Sequence, residues 1–281
     1  MTRRKETVHS TEETGNMEQI TSAGNRWVKL VGRLKIKKYR DKNRQFLMEG
    51  LRSAEDALAQ GYRDAVCFLT EEARRNKRVE ALIENAAKYH WLFLEVTEPL
   101  MQLIAGTEHG QGIMLILQKK PENVQDLLQP LHGHYVLLDG VQDPGNMGTI
   151  FRTAAAAGCK GILLTEGCTD PFAEKVVRSS MGSILRMPVY EKLTPDILEQ
   201  VRNISGLKLI GTALENGIAY RKCGPFPDAI FVFGNEGNGI RSEILALCDQ
   251  RLYIPMASGV ESLNVSASAA ILLFYFKEET A

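Results

Sequence analysis

This chain has few of the residues that hold metals or form disulfides. Its five cysteines, Cys67, Cys159, Cys168, Cys223 and Cys248, are widely spaced, no C-x-x-C occurs, and the five histidines form no ligand-like cluster with them. An odd number of scattered thiols reads as reduced cysteines in a cytoplasmic protein, without a disulfide framework or a zinc site. No run reaches the roughly 18 apolar residues of a membrane span, and the first residues contain no apolar core of a signal peptide. Net charge is also missing, because 34 Lys and Arg balance 34 Asp and Glu. A polyanionic partner would therefore be recognised through the distribution of charge. What the sequence does have, over 281 residues, is 44% hydrophobic and 24% charged content, enough core for one large domain or two ordinary ones.

Residues 1–22 are polar and read as a flexible tail. From Asn25 the spacing of Trp27, Leu30, Val31 and Leu34, continued by the stem of Lys38, predicts a helix. Arg26, Lys29, Arg33, Lys35, Lys37, Lys38, Arg40 and Arg44 make the segment strongly basic, with Asp41 the single acid near them. Such a run is either a solvated helix face or a surface for a phosphate backbone, and the shortage of acids at i,i+4 favours the second. Strands near Phe46–Gly50, Ala65–Leu69, Trp91–Val96 and Ile113–Leu117 then alternate with helices, predicting an α/β domain over residues 23–118. His109 is a lone loop histidine, a turn residue or a substrate contact. The polar stretch 119–133, with Pro121 and Pro130, reads as a linker.

Residues 134–281 read as a second α/β domain. Tyr135–Asp139 is a buried strand by its continuous apolar run, and it leads through a glycine-containing loop into an alanine-rich helix ended by Gly158. Further strands are expected at 161–164, 184–189, 208–213, 230–233 and 251–254, with helices at 171–181, around 195–201 and from Ser242, giving a parallel sheet covered on both faces. The last stretch, Ile254 to Phe276, places Ser262 and Asn264 where a small-residue loop opens into the most apolar helical segment. They are either caps or ligand-facing side chains.

Loops 140–148, 234–239 and 255–263 all follow strands at one sheet edge, where ligands of open parallel sheets bind. Their glycines give G-x-x-G and G-x-x-G-x-G, neither of which is the dinucleotide fingerprint, and no P-loop or G-x-S-x-G elbow is present. The polar residues that converge on this edge are Asn146, Arg152, Glu236, Ser262 and Asn264. Arg152 either pairs structurally with Glu236 or faces the cleft, since burying it alone would be costly.

These residues fall into three ordered motifs: Asn146-x-Gly148-x-x-x-Arg152-x-Ala154, Phe233-Gly234-Asn235-Glu236-Gly237-x-Gly239, and Ile254-Pro255-Met256 with Ser262-Leu263-Asn264-Val265-Ser266. The set resembles that of the SpoU (TrmH-type) RNA ribose 2′-O-methyltransferases of the SPOUT superfamily, over the whole C-terminal domain. Phe46–Gly50 and Gly112–Leu115 resemble that family's L30e-like substrate-binding domain. The resemblance implies a parallel sheet whose C-terminal segment is threaded into a trefoil knot, a homodimer formed through that domain, and S-adenosylmethionine held by Gly234, Ile254 and Leu263, with Met256, Thr212 and Gly237 as neighbours. It also implies that Arg152 is the catalytic arginine, held by Asn146, with Glu236 pairing with it or ordering the second loop and Ser262 and Asn264 lining the third side. The implied substrate is RNA lying across the basic 26–44 segment, 23S ribosomal RNA before transfer RNA. An RNA-binding protein that kept the fold and lost catalysis is the rival from another class, and a NAD-dependent enzyme is disfavoured by the glycine spacing.

Overall fold

The computed structural model describes residues 17–105, 111–259 and 262–277, so His109 and the first part of the expected tail lie outside the described residues. The N-terminal half carries β1 (Glu18–Ile20), β2 (Gln45–Glu49), β3 (Val66–Leu69), β4 (Leu92–Val96) and β5 (Ile113–Gln118) in one sheet of order β1-β4-β3-β5-β2. β1, β4 and β3 run parallel, while β5 is antiparallel to β3 and β2. Its helices are α1 (Arg26–Leu34), α2 (Lys37–Asn43), α3 (Leu51–Ala59), α4 (Glu71–Arg74), α5 (Lys77–Ala86) and α6 (Glu98–Ile104).

Three expectations need correction here. Glu18–Ile20 is an edge strand with Ile20 buried beside Val96, so residues 1–22 are not all tail. The single helix expected from Asn25 to Lys38 breaks after Leu34, where Ile36 takes an extended conformation before α2 begins. That break turns Arg40 inward. Residues 119–133 are more than a spacer: a capped 3-10 turn at Val124–Leu127 buries Leu127 against the C-terminal core.

The C-terminal half is built on β6 (His134–Asp139), β7 (Gly161–Thr165), β8 (Val189–Leu193), β9 (Lys208–Thr212), β10 (Ile218–Ala219), β11 (Ala229–Gly234) and β12 (Gln250–Tyr253). The sheet order is β10-β12-β9-β11-β6-β7-β8, and every neighbouring pair is parallel. β6, β7 and β11 are buried along their whole length, which is why they read as unbroken apolar runs rather than alternating ones. The helices are α7 (Pro144–Ala157), α8 (Glu174–Ser179), α9 (Pro195–Ser205), α10 (Ser242–Leu247) and α11 (Val265–Tyr275). The strand expected at 184–189 is instead a 3-10 turn at Ser183–Leu185, and β8 begins only after Pro188. A proline cannot donate to a ladder, and here it marks the strand's start.

One apolar core runs through both halves, joining Phe46, Met48 and Leu115 to Val136, Val177 and Phe231. The Phe46 and Phe172 rings pack with centroids 5.0 Å apart across the junction. No helix among the described residues is long and apolar enough to cross a membrane.

Candidate active site

β6 and β11 are adjacent and in register, with Asp139 opposite Gly234, so the loops that follow them leave the sheet side by side. Asp139 is fully buried and therefore needs partners. Its carboxylate accepts from Thr165 Oγ1 at 2.8 Å, from the Arg241 backbone N–H at 2.8 Å and from Arg241 Nε at 2.9 Å. The two bonds from Arg241 pin the far end of the second loop to the end of β6. Within that loop Asn235 Oδ1 accepts from the N–H groups of Gly237 and Asn238, while Asn235 Nδ2 donates to Gly140 O at 2.8 Å.

The first loop is shaped by the start of α7. Asp143 caps the helix by accepting from Asn146 N–H at 2.7 Å, and Pro144 occupies a first-turn position that needs no N–H. This leaves the Asn146 side chain free. Its Nδ2 donates to Glu236 Oε1 at 3.1 Å, and its Oδ1 accepts from Asn264 Nδ2 at 2.9 Å. Asn264 Oδ1 in turn caps α11 by accepting from the N–H groups of Ser266 and Ala267. Asn264 is thus both cap and site residue. One chain of hydrogen bonds, Glu236–Asn146–Asn264, ties the three loops together. Burial alone would raise the Glu236 carboxyl, but donation from Asn146 Nδ2 and from the N–H groups of Gln142 and Asp143 outweighs it and holds the group below the usual carboxylate range.

Beside this chain lies a cleft of ≈ 680 Å³ lined by Gly234, Gly237, Thr212, Ile254, Met256 and Leu263, with Ser262 and Asn264 at its side. The volume falls within the range usual for small-molecule sites. Leu263 leaves 39% of its surface exposed despite its apolar character, as the wall of an open pocket would. Thr212 donates its hydroxyl to Val232 O at 2.9 Å, so it offers the cleft mainly its methyl face. Gly234 permits the second loop to fold over, since a Cβ there would meet the backbone of Gly239 at 2.2 Å.

Arg152 does not join this cluster. It is exposed and makes no hydrogen bond or ion pair among the described residues, so neither the pairing with Glu236 nor the support from Asn146 is observed. Six residues along a helix rotate a side chain to about 120° from its starting direction, which carries Arg152 away from Asn146. It emerges instead beside α8, one turn after Gly148, which packs so closely on α8 that a Cβ would meet Ser179 Oγ.

The basic segment also divides. Arg40 is 4% exposed; it donates through Nε and Nη2 to Asp170 at 2.9 and 2.5 Å, and through Nη1 to Leu34 O. It ties the two halves together and is not available to a phosphate. Lys37 lies near Asp41, Asp170 and Glu191. Burial would lower its pKa, but these three carboxylates raise it above the usual lysine range. Arg26, Lys29, Arg33, Lys35, Lys38 and Arg44 remain exposed.

The functional residues that sequence reasoning missed are Asp139, Arg241 and the roles of Asn235. Asn235 carried a signal, because an Asn two residues before a glycine is a frequent side-chain turn. The Asp139–Arg241 pair carried none, its members being about a hundred residues apart.

Comparison with known proteins decides the family. The SpoU rRNA Methylase family model matches residues 133–274, and the model of the MRM3-like substrate binding domain matches residues 25–115. The chain belongs to the SpoU rRNA methylase family. It is 34% identical over 261 residues to the Bacillus subtilis 23S rRNA (guanosine(2553)-2′-O)-methyltransferase RlmP, covering 93% of this chain and 100% of that one. The human mitochondrial rRNA methyltransferase 3 is 29% identical, with 88% of this chain and 70% of that one covered. Among solved structures, the AdoMet-bound rRNA methyltransferase from Sinorhizobium meliloti superposes with a TM-score of 0.83 at 32% identity, covering 92% of this chain and 97% of that one. The α/β architecture with its parallel sheet is that of SpoU methyltransferases.

Proposed function

We propose that this SpoU methyltransferase transfers the methyl group of S-adenosylmethionine to a ribose 2′-OH in structured RNA, with 23S ribosomal RNA as first substrate class and transfer RNA as the alternative. The observation that carries the proposal is the Glu236–Asn146–Asn264 chain, which closes three loops beside a cleft of cofactor size. The cleft fits S-adenosylmethionine: Gly234 and Gly237 let backbone approach a ligand where no Cβ intervenes, and Ile254, Met256 and Leu263 supply apolar walls. The cofactor supplies an activated methyl group, and the protein supplies position and electrostatics. Arg152, with no partner among the described residues, orients the ribose and its phosphate and stabilises charge developing on the 2′-oxygen; a guanidinium has no acceptor site and is suited to this role rather than to that of a base. Glu236, engaged by three donors, orders the loops rather than accepting a proton. Ser262 lines the cleft, and its hydroxyl, which makes no hydrogen bond among the described residues, faces the substrate ribose.

Residues 23–118 present the RNA as an L30e-like substrate-binding domain, through the exposed members of the basic segment, and 134–281 form the catalytic domain. A second copy pairs with that domain, as supported by Phe274 and Tyr275, which are 51% and 48% exposed on the apolar α11. The segment after β12 threads into a trefoil knot. The position of β12 inside the sheet and the contact of α11 with α7 are consistent with this. Five free cysteines fit a cytoplasmic location.

The test is Arg152→Ala. It should leave the affinity for S-adenosylmethionine, measured by calorimetry, within about twofold, and lower the methyl-transfer rate about 10²–10³-fold, the usual cost of removing a charge-stabilising donor. Wild-type transfer by the variant would remove Arg152 from the reaction.

A further inference from the structure

A second cavity of ≈ 250 Å³ lies between the two halves, where α8 faces β2 and α3. It is below the size of a site for a whole drug-sized ligand and suits a single ring system. Its walls combine apolar Met48 and Val177 with Arg52, Arg178 and Glu174. Glu174 Oε1 is shielded from solvent and accepts no hydrogen bond among the described residues. Buried acceptors in folded proteins nearly always have a donor, so an unpaired one marks a place where a donor belongs. Arg52 and Arg178 are exposed at the rim and likewise make no hydrogen bond or ion pair among the described residues. The cavity is held in shape from both sides. Arg186 donates to Asp56 at 2.8 Å across the junction, and Arg40 grips Asp170 at the other end of the interface. It opens on the face of α8 opposite the one that touches α7, so it and Arg152 are separated by about one helix diameter, roughly 10 Å.

We propose that this interdomain cavity is a base subsite, which receives an unstacked nucleobase carrying an amino group from a nucleotide flanking the methylated one. The amino N–H donates to Glu174, the ring lies between Met48 and Val177, and Arg52 and Arg178 hold the adjoining phosphates. Single-stranded RNA is read in this way, by splayed bases in pockets and hydrogen bonds to their edges. Adenine, cytosine and guanine offer the amino donor and uracil does not. The inference rests on RNA being the substrate, as proposed above.

The test uses the full-length protein and short oligoribonucleotides of adenosine, cytidine or uridine alone, measured by filter binding over a salt series. The wild type should bind the adenosine and cytidine oligomers at least about tenfold more tightly than the uridine oligomer, the factor expected for one hydrogen bond to a charged acceptor. Glu174→Gln should abolish most of that preference while its affinity for S-adenosylmethionine stays at the wild-type value. Arg178→Ala, a change at an exposed position that leaves folding intact, should weaken all three oligomers alike and reduce the salt slope by about 0.7. Equal binding of the three oligomers by the wild type, a preference retained in Glu174→Gln, or an unchanged slope in Arg178→Ala would each overturn the subsite while leaving the RNA reading standing. Failure of every oligomer to bind a protein that still takes up S-adenosylmethionine would overturn both.

Discussion

Gly234→Ala gives the sharpest test of how the cofactor cleft is built. The new methyl group would stand 2.2 Å from Gly239 C and 2.3 Å from Ile240 N, both backbone atoms. Restoring ordinary contact, which begins at 3.4 Å, requires the 235–240 segment to retreat by about 1.2 Å. That segment cannot move freely, because Asn235 bonds Gly140 at one end and Arg241 bonds buried Asp139 at the other. Overpacking of this kind costs about 1–3 kcal/mol, and each kcal/mol lowers the melting temperature of a chain this long by roughly 2–4 °C. The same displacement misaligns backbone groups at the cleft. Two weakened hydrogen bonds cost about 1–3 kcal/mol in affinity, roughly 5–150-fold in Kd. Gly237→Ala is the control, because its Cβ would meet only Asn235 Oδ1 at 3.6 Å. It should melt within about 1 °C of wild type, as surface changes usually do. Scanning calorimetry and titration with S-adenosylmethionine measure both quantities. A Gly234→Ala protein with wild-type melting temperature and wild-type Kd would refute the close approach on which the cleft depends.

Arg40→Ala removes two charged hydrogen bonds from Asp170, which keeps only Phe172 N–H at 3.0 Å and Lys37 at 3.8 Å among the described residues, and should destabilise the protein by about 1.5–3 kcal/mol in denaturant unfolding, although Arg40 belongs to the basic run. Neutralising Lys29, Arg33, Lys35 and Lys38 together should instead leave stability unchanged and lower RNA affinity, with a salt slope reduced by about 0.7 for each phosphate no longer neutralised; an unchanged slope would make this face merely solvated. Because its hydrogen bonds hold the Glu236 carboxyl below the usual range, Glu236 stabilises the fold above the unfolded-state pKa of about 4.3, and this contribution is lost as pH falls through the folded value. The difference in melting temperature between wild type and Glu236→Gln should therefore be constant from neutral pH down to that unfolded-state value and shrink below it. A difference that shrinks already near pH 7 would contradict the bonding described.

Much of the C-terminal half was legible because its signals are local and mutually consistent. Strands buried on both faces read as unbroken apolar runs, and Gly158 announces the end of α7, although its start at Pro144 lay inside the expected loop 140–148. The cleft was legible for a different reason: motifs of small and polar residues after three strands have to meet at one sheet edge once the strands are parallel. Where sequence reasoning failed, the deciding partner was distant. Arg40 looks like its basic neighbours until Asp170, 130 residues away, is placed beside it. Ile20 looks like part of a tail until β4 supplies an edge to pair with. The direction of Arg152 was in principle available from helical geometry, since a six-residue spacing cannot put it on the same face as Asn146.

Methyl transfer to a ribose 2′-oxygen at the three closed loops can be read by incubating the protein with methyl-labelled S-adenosylmethionine and total RNA from cells lacking the protein, then hydrolysing the product with alkali. A 2′-O-methyl group removes the nucleophile that cleaves the neighbouring phosphodiester, so label should survive in alkali-resistant dinucleotides from ribosomal RNA and be absent with Arg152→Ala. Label recovered only in alkali-labile mononucleotides would assign the methyl group to a base and rule out transfer to the ribose.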